Sequence, residues 1–248
     1  MPKPDVKSIA ARFILLSELQ SHSWIYLEKP TPHEAEIIHQ DRLADLRKYG
    51  LWSYATNSER ELLETPPLEL GLESAQDAFY SSNAQAVFAW CLGMIDGLPP
   101  FDTAITDEDA PYSEELVDHT PFPHQFEYVA DNCKRRLEQQ IEWGRTEAEL
   151  WHWRSRTLEF QRSKPVARSP KRSAFFQERI QQATKSCVAD GMFVAIDGDF
   201  PAFGKPYSHL DDDEWRKIRT ITEQRHKALN WVCGLAPENN YDETPTDT

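Results

Sequence analysis

Apolar side chains recur every three or four residues along most of the chain, which is the spacing of the buried face of an α-helix. The stripe is widest between Ser74 and Leu98, and it predicts a central core helix that the following proline pair cannot continue. Other helices are predicted at five places along the sequence: Val6–Leu27, Glu34–Tyr49, Phe126–Gln161, Phe175–Ala189 and Asp211–Cys233. The hydrophobic pattern therefore predicts a mainly α protein.

Local signals refine this picture. Ser58 and Glu61 have the S-x-x-E spacing of a capping box, which predicts the start of a brief helix. Gly144 is a candidate break in the 126–161 stretch, because glycine is a poor helix former. The segment 192–196 is a candidate strand, since it lies in a stretch rich in glycine, proline and aromatic residues. We expect a single-domain, multi-helix bundle with at most one small β element, near 192–196.

Composition agrees with a helical protein that has a sizeable core. The 248 residues include 40% hydrophobic residues but only 9 glycines, and so few glycines disfavour a sandwich with many tight turns. The four cysteines are widely spaced, and no window reaches the roughly 20 apolar residues of a membrane span. Because the N-terminus also shows no secretion signal, we expect reduced thiols and a cytoplasmic location.

The net charge of −14 and the pI of about 5.0 restrict the classes of partner. An acidic surface repels phosphate backbones and anionic lipids, so we expect neither nucleic acid nor membrane among the partners. The same surface can attract a basic protein. Our leading interpretation is therefore a protein-binding module, and the sequence leaves its oligomeric state open.

Four segments are similar, in the same order, to segments of one protein family. Residues 225–231 (RHKALNW) and the final TDT resemble the terminal signature of a bacterial family, domain of unknown function 4272. Three further segments resemble its upstream patterns: 48–52 (KYGLW), 88–96 (FAWCLGMID) and 150–156 (LWHWRSR). The family has no established activity, so the resemblance implies a fold and a compartment, and allows an immunity or toxin-neutralising role. Relative to it, the basic connection at about 162–172 is interpreted as a loop insertion.

The last helix carries the strongest candidate for a functional site. On a helical wheel Arg225 lies among apolar positions, so its guanidinium must be paired in the core. We expect its partner to be a carboxylate of the 197–199 loop or of the C-terminal tail (235–248), and we expect that tail to dock. The candidate catalytic residues are His226, Glu223 and Asn230, and the candidate binding residues are Arg225, Trp231, Asp197, Asp199, Asp242 and Asp247.

Two interpretations of this cluster stay open. It is either a buried ion pair that fastens the tail, or the site of a hydrolase-like or metal-assisted enzyme in which His226 is the general base. No pair of histidines has the H-x-x-x-H spacing, and no phosphate-binding or dinucleotide-binding glycine motif occurs. We therefore expect no metal and no cofactor, although Asp197, Asp199 and His226 together are a weaker alternative for a hard cation.

Overall fold

The computed structural model describes residues 3–104 and 121–247. Its helices are α1 (Val6–Glu28), α2 (Pro32–Lys48), α3 (Asn57–Glu64), α4 (Leu72–Tyr80), α5 (Ser82–Cys91), α6 (Phe126–Asn132), α7 (Glu138–Arg162), α8 (Lys164–Ala167), α9 (Pro170–Ala189) and α10 (Asp212–Val232). Two short strands, β1 (Pro201–Ala202) and β2 (Lys205–Pro206), form an antiparallel hairpin. The predicted mainly α fold, with a small β element, is confirmed.

Helices α1 and α5 form the centre of the core. Every residue from Ile9 to Leu16 is at most 4% exposed, and every residue from Ser82 to Cys91 is buried. Helix α1 packs against α4, α5 and α6, and α5 also packs against α10. A helix that is apolar on all sides is stable only when other elements surround it, so the remaining helices are arranged around these two.

The stretch predicted as one core helix, 74–98, is divided between α4 and α5. Ser81 ends α4, and its hydroxyl donates to the carbonyl of Ala78 at 2.6 Å. A serine that bonds back to a preceding carbonyl competes with the helical ladder and bends the chain. The apolar spacing continues across this bend, so the hydrophobic pattern could not show it.

The 126–161 stretch also divides, but not at Gly144. It breaks between α6 and α7, where the Arg136 side chain donates to the carbonyl of Trp90 at 2.6 Å. Gly144 lies inside α7, and a Cβ atom at this position would be 3.1 Å from the Trp90 ring. The glycine therefore leaves room for the Trp90 ring of α5 beside α7, and the prediction of a break at this residue was wrong.

Two helix starts can be compared with their predicted positions. Asp211 accepts hydrogen bonds from the N–H groups of Asp213 and Glu214, both at 2.9 Å, so the first residues of α10 were predicted correctly. The capping box of α3 lies two residues earlier than predicted, with Thr56 and Glu59 in the two positions. The sequence around it offers two overlapping patterns, T-x-x-E and S-x-x-E, and the first is used.

The 162–172 connection is mostly helical, whereas the sequence analysis expected a loop there. It contains α8 and the start of α9, and a proline lies in the first turn of each helix. Proline is tolerated there because the first N–H groups of a helix have no partner within it. Both prolines therefore mark helix starts.

The small sheet lies after the predicted segment 192–196. Its hairpin turns at Phe203 and Gly204, which have φ values of 51° and 74°. Two positive φ values favour the twist of a two-residue hairpin. Within 192–196, Ile196 forms an isolated bridge with Asp199.

Two further observations concern the chemistry of the chain. Across residues 3–104 and 121–247, no helix is both long enough and apolar enough to cross a membrane. All four cysteines fall within these ranges, and their thiols are free rather than joined in disulfides.

Candidate functional site

The polar residues of α10 do not form one cluster. Arg225, His226 and Asn230 are each at most 4% exposed, and they bind different parts of the chain. Glu223 lies on the accessible side of the helix and lines a cleft. The inward and outward sides of α10 therefore have different roles.

Arg225 joins α10 to residues 99–103, which we call the proline segment. Its Nη1 atom donates to the carbonyls of Pro99 and Pro100, both at 2.7 Å, and its Nη2 atom donates to the carbonyl of Thr103 at 2.8 Å. This corrects the expected pairing with a carboxylate of the tail or the 197–199 loop. The carbonyls of an irregular segment lack helix or strand partners, and the five N–H donors of a guanidinium can satisfy several of them.

His226 and Asn230 belong to a chain of buried hydrogen bonds that reaches the tail. The Asn230 Nδ2 atom lies 2.8 Å from the carbonyl of Pro245 and 2.9 Å from His226 Nε2, and the Nδ1 atoms of His226 and His152 are 3.1 Å apart. Because a carbonyl can only accept, the Asn230 amide donates to Pro245, and its second N–H donates to His226. His226 then carries its proton on Nδ1 and donates to His152.

Both histidines are neutral at physiological pH. Burial lowers the pKa of His152 and of His226 to about 4. A general base must also come within hydrogen-bond reach of the proton that it abstracts. Both ring nitrogens of His226 already face protein groups, so this geometry favours a structural role for the residue.

The tail packs against α10 through aromatic rings and carbonyls. Trp231 Nε1 donates to the carbonyl of Asn239 at 2.9 Å, and the rings of Trp231 and Tyr241 meet edge to face with 5.9 Å between their centres. Tyr241 is 4% exposed, whereas Asp242 and Asp247 lie at the surface. Aromatic packing and hydrogen bonds to backbone carbonyls therefore hold the tail, whereas its carboxylates Asp242 and Asp247 lie at the surface.

Asp199 is buried, and its partner is Arg154 of α7, a residue that sequence reasoning missed. The two Asp199 oxygens each accept a hydrogen bond from the Arg154 guanidinium at 2.7 Å, and also accept from the N–H groups of Phe200 and Ser208. Burial alone would raise the pKa of Asp199, but the hydrogen bonds and charge of Arg154 hold it below the ordinary value. Asp197, two residues earlier, is exposed. The ion pair fastens the 197–208 region to α7.

A cleft of about 750 Å³ opens along the accessible side of α10, and we call it the acidic cleft. Apolar side chains that line it include Leu16 and Leu19 of α1 together with Leu70 and Ala78. Its carboxylates come from α3, α4, α10, the tail and the 3-10 turn before α4: Glu59, Glu61, Glu69, Asp77, Glu223 and Asp242. The cleft combines apolar surface with a strongly negative lining.

The carboxylates of the acidic cleft differ in how far they are neutralised. Glu59 forms a buried ion pair with Arg12. Burial, and after it the charge of Glu73, raise the pKa of Asp77. Glu61 and Glu69 are exposed. The cleft therefore has an excess of negative charge beyond the one ion pair.

Among the described residues that line the acidic cleft, Lys227 is the single basic one. Its Nζ atom lies 4.6 Å from the centre of the Tyr241 ring. Burial lowers the pKa of Lys227, and the negative charges of Asp242, Glu59 and Glu223 oppose that shift. An ammonium over an aromatic face and close to carboxylates is in a favourable setting, so the cleft already accommodates one cation.

The candidate residues of the sequence analysis are thus divided among separate places. Glu223 and Asp242 meet in the acidic cleft, while Arg225, His226, Asn230 and Trp231 face inwards. The acids of α3 and α4 were missed. They are far from α10 in the sequence, and the overall charge was the one signal that pointed to them.

The weaker alternative of a hard-cation site disagrees with the geometry. Asp199 is bound by Arg154, Asp197 is exposed, and His226 faces His152 and Asn230. In the part of the chain that the structure describes, no group of three or more His, Cys, Asp and Glu side chains is placed to hold a metal ion.

The fold and the site define a mainly α protein with a buried polar framework and an acidic cleft. The chain belongs to the family described as Domain of unknown function (DUF4272), whose model matches residues 4–168. The match contains the three upstream segments of the resemblance, and the terminal signature at 225–231 lies beyond it. The comparison with curated proteins gave no match, and neither did the comparison with solved structures.

Proposed function

We propose that this protein binds a basic segment of a partner protein in the acidic cleft. The observation that carries the proposal is a lining of six carboxylates and one lysine around apolar side chains, in a cleft of about 750 Å³. Lysine and arginine side chains combine an apolar stem with a charged end, so they suit such a lining. The net charge of −14 would also speed the encounter with a basic partner.

An immunity or toxin-neutralising role in the cytoplasm is one specific form of this proposal. A toxin whose active surface is basic would be blocked if that surface were held against the acidic cleft. Specificity would then come from where the carboxylates lie, because charge complementarity selects partners and orients them.

The alternative function, a hydrolase-like or metal-assisted enzyme, has less support. Its proposed centre, Arg225, His226 and Asn230, is at most 4% exposed, and each of these side chains is engaged with other parts of the chain. An enzyme would need such groups to line a cavity that substrate can enter.

Fluorescence anisotropy with a labelled hexapeptide of alternating lysine and leucine tests the proposal. We expect binding that weakens steeply as salt is raised, since the Debye length falls from about 10 Å at 0.1 M to about 3 Å at 1 M. The double variant Glu61→Gln and Glu69→Gln removes two exposed charges from the cleft, and should weaken binding by roughly three- to tenfold.

The control is Glu178→Gln, which removes an exposed charge from α9, outside the lining of the acidic cleft. Its affinity for the peptide should equal that of the parent protein. A second control is the peptide of alternating glutamate and leucine, which should not bind. Equal binding of the two peptides, or an equal loss in Glu178→Gln and the double variant, would overturn the proposal.

A further inference from the structure

Helix α9 leaves most of its surface exposed. It packs mainly against α7 and α8, and its buried side chains are Ile180, Thr184 and Cys187. Phe175, on another side of the helix, is 51% exposed, and Phe160 near the end of α7 is 49% exposed. Two large apolar side chains of neighbouring helices are therefore left in contact with water.

These side chains belong to a connected aromatic cluster. The Phe160 and Phe176 rings stack with 6.4 Å between their centres, and Phe175 meets Phe176 edge to face at 5.7 Å. An open groove of about 450 Å³ continues the cluster, and its lining includes Phe175, Phe176 and Trp153. Contiguous exposed apolar surface commonly marks a place where a partner binds, and aromatic residues are enriched in such interfaces.

The same part of the chain carries positive charge without partners. Residues 164–185 contain six basic side chains and one acidic side chain, Glu178, in a chain whose net charge is −14. All six basic side chains are exposed, and none forms an ion pair within residues 3–104 and 121–247. They are Lys164, Arg168, Lys171, Arg172, Arg179 and Lys185. The segment therefore suits a partner surface that is acidic.

Basic and aromatic side chains alternate along one face of α9. Lys171, Phe175 and Arg179 are four residues apart, and side chains at this spacing lie on the same face of a helix. The Arg179 guanidinium lies 5.3 Å from the centre of the Phe175 ring. We call these three residues, with Arg172 and Phe176, the α9 surface. Its chemistry is that of the basic and apolar segment for which the acidic cleft is suited.

The acidic cleft complements the α9 surface in charge and in apolar content. Its lining combines leucines with carboxylates, of which Glu61 and Glu69 are exposed. The α9 surface contributes no residue to that lining, so one molecule can present both surfaces at once. Two copies, each with a net charge of −14, repel each other at long range. At 0.15 M salt the Debye length is about 8 Å, so charges in direct contact outweigh this distant repulsion.

We propose that the α9 surface of one copy binds in the acidic cleft of a second copy. The proposal rests on the proposed function, and it identifies the basic partner as this chain itself. Because two different surfaces meet, the contact is heterologous, and a pair of copies still has one free cleft and one free α9 surface. Association of this kind continues until it closes into a ring or grows into an open chain.

Sedimentation equilibrium of the full chain tests this proposal. The average mass of the parent should rise above the 28.7 kDa of one chain as its concentration is raised. The α9 variant carries Lys171→Glu with Arg172→Glu, and acidic side chains are well tolerated in the first turn of a helix. The cleft variant carries Glu61→Lys with Glu69→Lys. Each variant places like charges face to face, so self-association should weaken by roughly tenfold or more.

A mixture of the two variants tests which surfaces meet. The cleft variant retains its α9 surface and the α9 variant retains its cleft, so the mixture should recover the association that each variant alone has lost. The control is Glu28→Lys with Asp41→Lys, which makes the same change in net charge as the cleft variant. Both positions are exposed and lie outside the two surfaces, so the control should associate at least as well as the parent.

Several results would contradict the proposal. If the parent keeps a mass of 28.7 kDa at every concentration while the lysine-leucine peptide binds, this inference is wrong and the proposed function stands. A loss confined to one of the two variants, an equal loss in the control, or a mixture that does not associate would also refute it. So would binding of the glutamate-leucine peptide that disappears in Lys171→Glu with Arg172→Glu, because the α9 surface would then serve a different acidic partner.

Discussion

Replacing Arg225 with alanine removes the link between α10 and the proline segment. The guanidinium is completely buried and donates three hydrogen bonds of 2.7–2.8 Å. A hydrogen bond to a charged group contributes about 1.5–3 kcal/mol. The sum of three is an upper limit, because the variant no longer buries a charge and water can reach part of the freed segment. We therefore expect the free energy of unfolding to fall by about 3–5 kcal/mol.

Urea denaturation followed by circular dichroism measures this loss. In a chain of this size it corresponds to a decrease in melting temperature of roughly 6–20 °C. Arg225→Lys should recover less than half of the loss, because an ammonium cannot match the planar spread of a guanidinium over three carbonyls. Arg219→Ala is the control on the same helix, since Arg219 is partly exposed and 3.8 Å from Glu159. That surface ion pair should contribute about 1 kcal/mol or less.

Two results would refute this reasoning. If Arg225→Ala loses no more stability than Arg219→Ala, the three carbonyl contacts do not hold the proline segment. If Arg225→Lys is as stable as the parent, the positive charge matters and the fork geometry does not.

Three further predictions concern the histidine pair, Lys227 and the tail. As the pH falls from 6.5 towards 4, the free energy of unfolding should decrease, because histidines of the unfolded chain bind protons before the buried pair of His152 and His226 does. Urea titrations at several pH values should show a smaller decrease in His226→Gln, and an equal decrease in the variant and the parent would contradict this. Lys227→Met should tighten binding of the lysine-leucine peptide several-fold, since it removes the one cation of the lining; weaker binding would argue against a cation site. Truncation after Asn240 removes buried Tyr241 and should lower stability by about 3–5 kcal/mol, whereas an unchanged melting temperature would show that the tail is not needed.

The hydrophobic pattern predicted most helices because burial of one helix face leaves a mark every three or four residues. It failed where the path of the backbone depends on a single polar contact. Ser81 divides a continuous apolar stripe, and Arg136 holds an extended link between α6 and α7. Gly144 was misjudged because its role is set by the Trp90 ring on another helix. Such features depend on tertiary partners, which no local spacing reveals.

The candidate site was predicted less well than the fold, for a related reason. The helical wheel correctly placed Arg225 towards the core, but a wheel gives a direction and not a partner. The possible acceptors included every carboxylate and every free carbonyl of the chain, and the proline segment supplied three of the latter. The ion pair of Arg154 with Asp199 was hidden in the same way, because 45 residues separate its members.

The two sides of α10 suggest how stability and specificity are divided in this protein. Arg225, His226, Asn230 and Trp231 hold the proline segment, α7 and the tail, and so they hold Tyr241 and Asp242 in the wall of the acidic cleft. Lys227 lines the cleft, and it stands at the variable position x of the R-H-x-A-L-N-W pattern. Substitutions of the inward-facing residues of α10 should therefore lower the stability of the protein. They should also weaken peptide binding, because Tyr241 and Asp242 of the acidic cleft would be displaced. Changes at Lys227 should alter affinity and leave the melting temperature nearly unchanged, and measuring both quantities on each variant separates the two roles.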